Sequence, residues 1–442
     1  MVPGDDQNLI YNIKLSSVVP CRITGSDVVS EPNGVDLAMK LHYLKGVYFF
    51  GSQESQDMTI TRIKESMFHW LNDYYMVCGR FRRSDTGRPY IKCNDCGVRV
   101  VEAQCDKTVD EWLELKDRSL DHLLVYHLPI GPELTLSPPL YVQITKFKCG
   151  GMCMGLSWAH ILGDAFSVSN CVNMWSPFLA GLKSNAPLNI AKTPNKPESS
   201  ENGPKPWQQP LSLKRVDPVG DHWVTASNFK MRPFSIHLTA SQVSHLLSSI
   251  WGQSQINKVP SFESLCALMW QCVAKVREGH EPNIVTLCKK GSNYSESRLA
   301  ESRLAKCQAI SSVKADFPIV DSDLRKLATV LVDQAVNETN QIGELVEQDN
   351  GVSDYILYGA NLTFVDLEEA SPYGLEWNGH KPKFVHYTIQ GVGDEGTVLL
   401  QNESGQDGNK GKIVTVILPE TEVMKLKSEL KKNGILLEGD KK

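Results

Sequence analysis

His160 and Asp164, separated by Ile161-Leu162-Gly163, are the residues whose types and spacing best suit chemistry in this chain of 442 residues. An imidazole can take a proton from an alcohol or amine as that group attacks an acyl carbonyl. That role needs a pKa near the working pH and a fixed tautomer. A carboxylate close by can orient the ring or hold the loop. The pattern alone is weak. With 11 His in the chain and Asp at ~5% of residues, about one chain in two carries an H-x3-D by chance. A second copy, His69 and Asp73, falls in a segment of helical periodicity and reads as an i,i+4 surface contact. Taken alone, His160 stays open between a satisfied structural histidine and a general base.

The surrounding elements decide where such a pair would sit. Leu140, Val142 and Ile144 alternate, and Met152, Met154, Leu156 and Trp158 repeat that period, predicting two strands. Phe166, Cys171, Trp175, Phe178 and Leu182 suit a helix that begins at Asp164. His160 and Asp164 therefore fall where a strand hands over to a helix, and side chains at such turns face clefts. Upstream, residues 10–19 read as a strand and 59–75 as an amphipathic helix. Thr108-Val109-Asp110-Glu111 is a capping box that opens a short helix through Leu115. Residues 183–218, rich in Pro, Ser, Asn and Lys, read as an exposed crossover. They divide an N-terminal domain, 1–182, from a C-terminal one, 219–442. In the second block Ser261 is placed to cap a buried helix carrying Phe262, Leu265, Met269, Cys272 and Val276. Strands are expected at 283–287, 360–365, 385–390, 397–401 and 413–418, and a tail helix at 419–433 ends in lysines that suit its dipole. The tandem ESRLA-ESRLA at 296–305 is too short for a solenoid unit and reads as a loop or helix-end expansion.

Composition excludes several classes. Hydrophobic residues are 41% and charged residues 22%, as in globular proteins. The net charge of -5, with no Lys/Arg block, gives nucleic-acid binding no electrostatic basis. No run of ~18 apolar residues predicts a membrane span. Met1-Val2-Pro3-Gly4-Asp5-Asp6 has neither the basic region nor the apolar stretch of a signal peptide. The expectation is a soluble, intracellular protein. Its 12 Cys are then free thiols. Cys93/Cys96 and Cys149/Cys153 do not form a compact zinc module, and no metal is expected.

Ser157-Trp158-Ala159-His160-Ile161-Leu162-Gly163-Asp164 resembles the H-x3-D segment of the plant BAHD acyltransferases. Cys78-Gly79-Arg80-Phe81 and Gly87-Arg88-Pro89-Tyr90 resemble the same family, and the likeness spans nearly the whole chain. It implies a mixed α/β fold of two chloramphenicol-acetyltransferase-like domains with a channel at their interface. It also implies acyl transfer from acyl-CoA to an alcohol or amine, with His160 as base and Asp164 turned toward a basic residue of the second domain. Two departures stand out. Ala165 occupies a position usually held by Gly. Tyr373-Gly374-Leu375-Glu376-Trp377-Asn378-Gly379 keeps only scattered Gly and Trp of the family's D-F-G-W-G. The Arg expected opposite Asp164 is replaced near Lys289 or Lys290, which lack a bidentate fork.

Asp36-Leu37-Ala38-Met39-Lys40-Leu41-His42-Tyr43, Phe147-Lys148-Cys149-Gly150-Gly151 and Gly359-Ala360-Asn361-Leu362-Thr363-Phe364 resemble the eceriferum/glossy branch of that family. This resemblance implies an accessory protein of the fatty-acid elongase, partnered with its condensing enzyme, a 3-ketoacyl-CoA synthase. Members of that branch promote growth of very-long-chain acyl-CoAs for cuticular wax, and the H-x3-D pair is not reliably needed among them. No cofactor is expected, with acyl-CoA a substrate if the protein is active. The implied location is the cytosolic face of the endoplasmic reticulum, reached through the partner, or the cytosol or nucleus.

Overall fold

Two mixed sheets organise the chain in a computed structural model that describes residues 9–115, 118–184, 209–252, 260–291, 304, 307–403 and 411–436. Most of the expected crossover (185–208), and the tandem duplication apart from Leu304, lie outside the described residues. The first sheet has six strands, in the order Ile10–Val18, Val98–Cys105, Leu140–Phe147, Met152–Ala159, Tyr43–Phe50 and Phe384–Gln390. The second has seven, in the order Met231–Leu238, Lys412–Pro419, Thr397–Asn402, Leu362–Asp366, Ile284–Lys290, Gln308–Lys314 and Val336–Asn337. The sixth strand of the first sheet comes from the second half of the chain and pairs antiparallel with Tyr43–Phe50. The expected division at 183–218 thus describes order along the chain, while the sheets exchange one strand across it.

Local sequence sets most of these elements. The capping box at Thr108 forms as expected: the Thr108 hydroxyl accepts from Glu111 N–H, and the Glu111 carboxylate accepts from Thr108 N–H. Met152–Ala159 is expected to bury one face, yet every residue of it is buried. One face packs on helices and the other lies under the 118–137 segment. Gly155 permits that second contact, since a Cβ there would stand 1.9 Å from the Leu124 carbonyl oxygen. The helix over 59–75 stops earlier, at Trp70, so Asp73 lies beyond it and does not share a helical face with His69. The helix expected from Asp164 to Leu182 is broken into Ala165–Asn173 and Ser176–Leu179, with Pro177 in the first turn of the second. Ser261 is the first helical residue of Ser261–Val276, and Pro260 is the cap. Ser264 instead ties that end, donating to the Pro260 carbonyl and accepting from Trp251 Nε1.

The helix layer of the first sheet is anchored by Trp70 stacked on Trp175, centroids 4.9 Å apart. Trp70 Nε1 donates to the Cys171 carbonyl and Trp175 Nε1 to the Ser66 hydroxyl. Burying each such ring contributes ~1.5–3 kcal/mol, provided its polar atom is paired. Cys266 and Cys272 are buried in the Ser261–Val276 helix, as expected of core thiols. Cys93 is buried while Cys96 is exposed, so the C-x2-C does not converge on one point. Among the described residues, no group of three or more His, Cys, Asp or Glu could hold a metal ion. None of their helices is long and apolar enough to cross a membrane.

Candidate functional site

The Met152–Ala159 strand ends at Ala159, and one turn of 3-10 helix carries His160. Gly163 follows, and Asp164 caps the Ala165–Asn173 helix by accepting from Ser167 N–H at 2.9 Å. The strand-to-helix junction is as the alternation predicts. His160 is 3% exposed and Asp164 equally buried.

Asp164 is turned away from the imidazole and toward the second sheet. Its Oδ1 accepts from both Ser167 N–H and the Ser167 hydroxyl, and its Oδ2 accepts from Cys307 N–H and Gln308 N–H at 2.7 Å each. The cross-sheet partner is therefore main-chain, and the expected pairing with Lys289 or Lys290 is corrected. Lys289 binds Glu263, and Lys290 binds Glu369 at 3.2 Å. Each lysine already faces an acid on its own side. The two amides offer the carboxylate charge-assisted bonds without the cost of burying an ammonium.

His160 Nε2 lies 2.9 Å from the Tyr358 hydroxyl. That hydroxyl donates to Gln308 Oε1 at 3.0 Å, so its lone pair accepts from the imidazole. Neutral His160 then carries its proton on Nε2. Asp164, Gln308, Tyr358 and His160 form a continuous chain of contacts across the seam between the sheets. Burial lowers the pKa of His160 to about 4, even though Asp164 nearby favours the charged form. Burial raises the Tyr358 phenol well above its ordinary value.

The sequence reading missed the residues that surround His160. His42 is fully buried, and its carbonyl accepts from His160 N–H at 3.0 Å. Its Nε2 accepts from Leu357 N–H at 3.0 Å, which leaves the proton on Nδ1. Burial and the neighbouring His160 lower its pKa to about 3. His42 and His160 both meet the Tyr358 ring edge-on, with centroids 4.9 Å and 5.3 Å away. Tyr358 is 198 residues from His160, and no local pattern marks either it or Gln308. The segment 373–379 packs against the first-sheet helices. Trp377 is buried beneath the Arg62 guanidinium, Glu376 N–H donates to Ser176, and Gly374 lies against the Asn173 side chain. Its surviving Trp and Gly thus have packing roles.

A family model described as the Transferase family matches residues 33–290. Protein ECERIFERUM 26 of Arabidopsis thaliana is 42% identical over 434 residues, covering 98% of each chain. Protein ECERIFERUM 2 of the same plant is 38% identical over 435 residues, covering 95% of this chain and 98% of the relative. Among solved structures, F. sporotrichioides TRI101 complexed with Coenzyme A and T-2 shares the fold. Its TM-score is 0.70 at 14% identity, covering 92% of this chain and 99% of that one.

Proposed function

The chain belongs to the BAHD transferase family, and from that premise we propose that it is an accessory protein of the fatty-acid elongase, promoting extension of very-long-chain acyl-CoAs for cuticular wax. In this reading it modifies the chain-length preference of the condensing enzyme, a 3-ketoacyl-CoA synthase, without itself transferring acyl groups. The supporting observation is the contact between His160 Nε2 and the Tyr358 hydroxyl at 2.9 Å. The chain's own hydroxyl fills the place where an acceptor alcohol would surrender its proton. The relatives matched over their full length carry the ECERIFERUM name, which favours this reading over that of a general scaffold.

Lining an apolar corridor is energetically sufficient. Two further buried CH2 groups contribute ~1.6 kcal/mol, about a fifteenfold preference. That shifts product length by one two-carbon step. The protein works at the cytosolic face of the endoplasmic reticulum, held by its membrane-bound partner.

The second reading, an acyl-CoA-dependent O- or N-acyltransferase with His160 as base, is favoured by the intact His160/Asp164 junction. It requires Tyr358 to turn away from His160 Nε2. The variant His160→Ala, tested with the condensing enzyme in a reconstituted elongase, separates the two. The accessory reading expects an unchanged chain-length profile. A fall of ~10²–10⁴ in output from a folded variant overturns it in favour of the enzyme.

A further inference from the structure

A cavity of about 430 Å³ opens at the seam between the first sheet, the 118–129 segment and residues 223–233. Leu41 and Gly391 line part of it, packed against each other. Its apolar wall includes Trp223, Met231 and Ile389, and the half-exposed Phe229 stands at its rim. The volume is in the range of small-molecule sites. His160 does not line it.

Its polar lining is unbalanced. Lys45 projects from the middle of the strand Tyr43–Phe50, directly opposite Ser157 on one neighbouring strand and Thr388 on the other. Among the described residues, none gives its ammonium an ion pair or a hydrogen bond. Burial alone accounts for its pKa falling to about 8. His127 lies over the same patch, its Nδ1 2.7 Å from the Ser157 hydroxyl, and its buried Nε2 has no partner. Asp121 is the single carboxylate lining the cavity. It is already engaged by Trp112 Nε1 at 3.0 Å and His386 Nδ1 at 3.2 Å. Lys45 is partly buried, and among the described residues no acid pairs with its ammonium, so an anion entering the cavity would meet an unopposed positive charge.

We infer that this cavity is a binding site for a small amphipathic carboxylate, its anionic group on Lys45 and its apolar body along Trp223 and Ile389. The carboxylate accepts from the Lys45 ammonium and from His127 in its Nε2-protonated tautomer. The buried His127 Nε2 thereby gains a partner, the Lys45 ammonium a counter-charge, and apolar surface is removed from water. The site is independent of whether the protein assists an elongase or transfers acyl groups. Its failure would leave the His160→Ala outcome unaffected.

Titration calorimetry of the full chain with octanoate and with octan-1-ol tests the assignment. The wild type should bind octanoate ~10-fold or more tightly than the alcohol, the discrimination a charge-assisted bond supplies. In Lys45→Met the preference should vanish while the alcohol still binds. Lys45→Gln serves if the methionine variant does not fold. Equal affinity of wild type for acid and alcohol, an undiminished acid preference in the variant, or no binding of either probe would overturn the site.

Discussion

The imidazoles of His42, His160 and His386 are buried around the seam of the sheets and that of His127 is partly buried, and desolvation holds all four away from protonation. The pKa of His42 and His127 falls to about 3 and that of His160 to about 4, and that of His386 is lowered too. In the unfolded chain each titrates near ~6.5. Between these limits the unfolded state binds more protons, so stability rises with pH across that window and is lost as pH falls through it. The thermal midpoint should drop steeply from pH 6.5 toward 4, and His127→Gln should flatten that slope. A midpoint independent of pH over this range would contradict the burial argument. Lys45 acts in the opposite part of the scale. Its depressed pKa of about 8 costs stability below that value, and the cost disappears as pH rises toward ~10.4. Tyr358→Phe should leave His160 Nε2–H without an acceptor and lower unfolding free energy by ~1–3 kcal/mol in urea titrations.

At the scale of elements, Asp164 binds a helix start to the edge of another sheet. Its Oδ1 caps Ala165–Asn173, and its Oδ2 receives the two amides at the start of Gln308–Lys314. Asp164→Asn keeps the cap acceptor but turns an NH2 toward two N–H donors. It should cost ~1–3 kcal/mol. Asp164→Ala loses the cap as well, a further ~0.5–2 kcal/mol. Chemical denaturation distinguishes these, and equal stability of both variants would refute the two-sided role. Gly155 is the corresponding device on the opposite face of the sheet. Gly155→Ala should displace the 118–129 segment and destabilise by ~1–3 kcal/mol, as overpacked sites do. Alternation along 152–158 reveals the strand, but not that its second face is covered. That cover is a loop from elsewhere in the chain, laid down by contact rather than by periodicity.

At the scale of the whole molecule, a buried ion pair joins the halves. Lys40, fully buried, meets Asp354 at 2.9 Å. It also donates to the carbonyls of Gly351, Val352 and Ser353. Asp354 in turn accepts from Val219 N–H at 2.8 Å. Lys40→Met would leave Asp354 buried and unpaired, at a cost of ~3–5 kcal/mol. Adding Asp354→Asn should recover part of that loss, because a neutral amide carries a smaller desolvation penalty. Calorimetric unfolding of the single and double variants would measure the coupling. Additive losses would show that the pair does not hold the two halves together.

The period-two and helical patterns, the capping box at Thr108 and the junction at His160 were legible in the residues because each depends on neighbours a few positions apart. The family was legible too, through motifs spread along the chain. Tertiary structure decided which sheet receives Phe384–Gln390, and that Asp164 is held by amides rather than by Lys289 or Lys290. It also placed a tyrosine hydroxyl against Nε2 of His160 and left Lys45 without an acid. Each of those outcomes depends on which groups meet across the seam between two sheets after burial has removed water as an alternative partner. Such meetings join residues far apart in the chain and leave no periodicity behind.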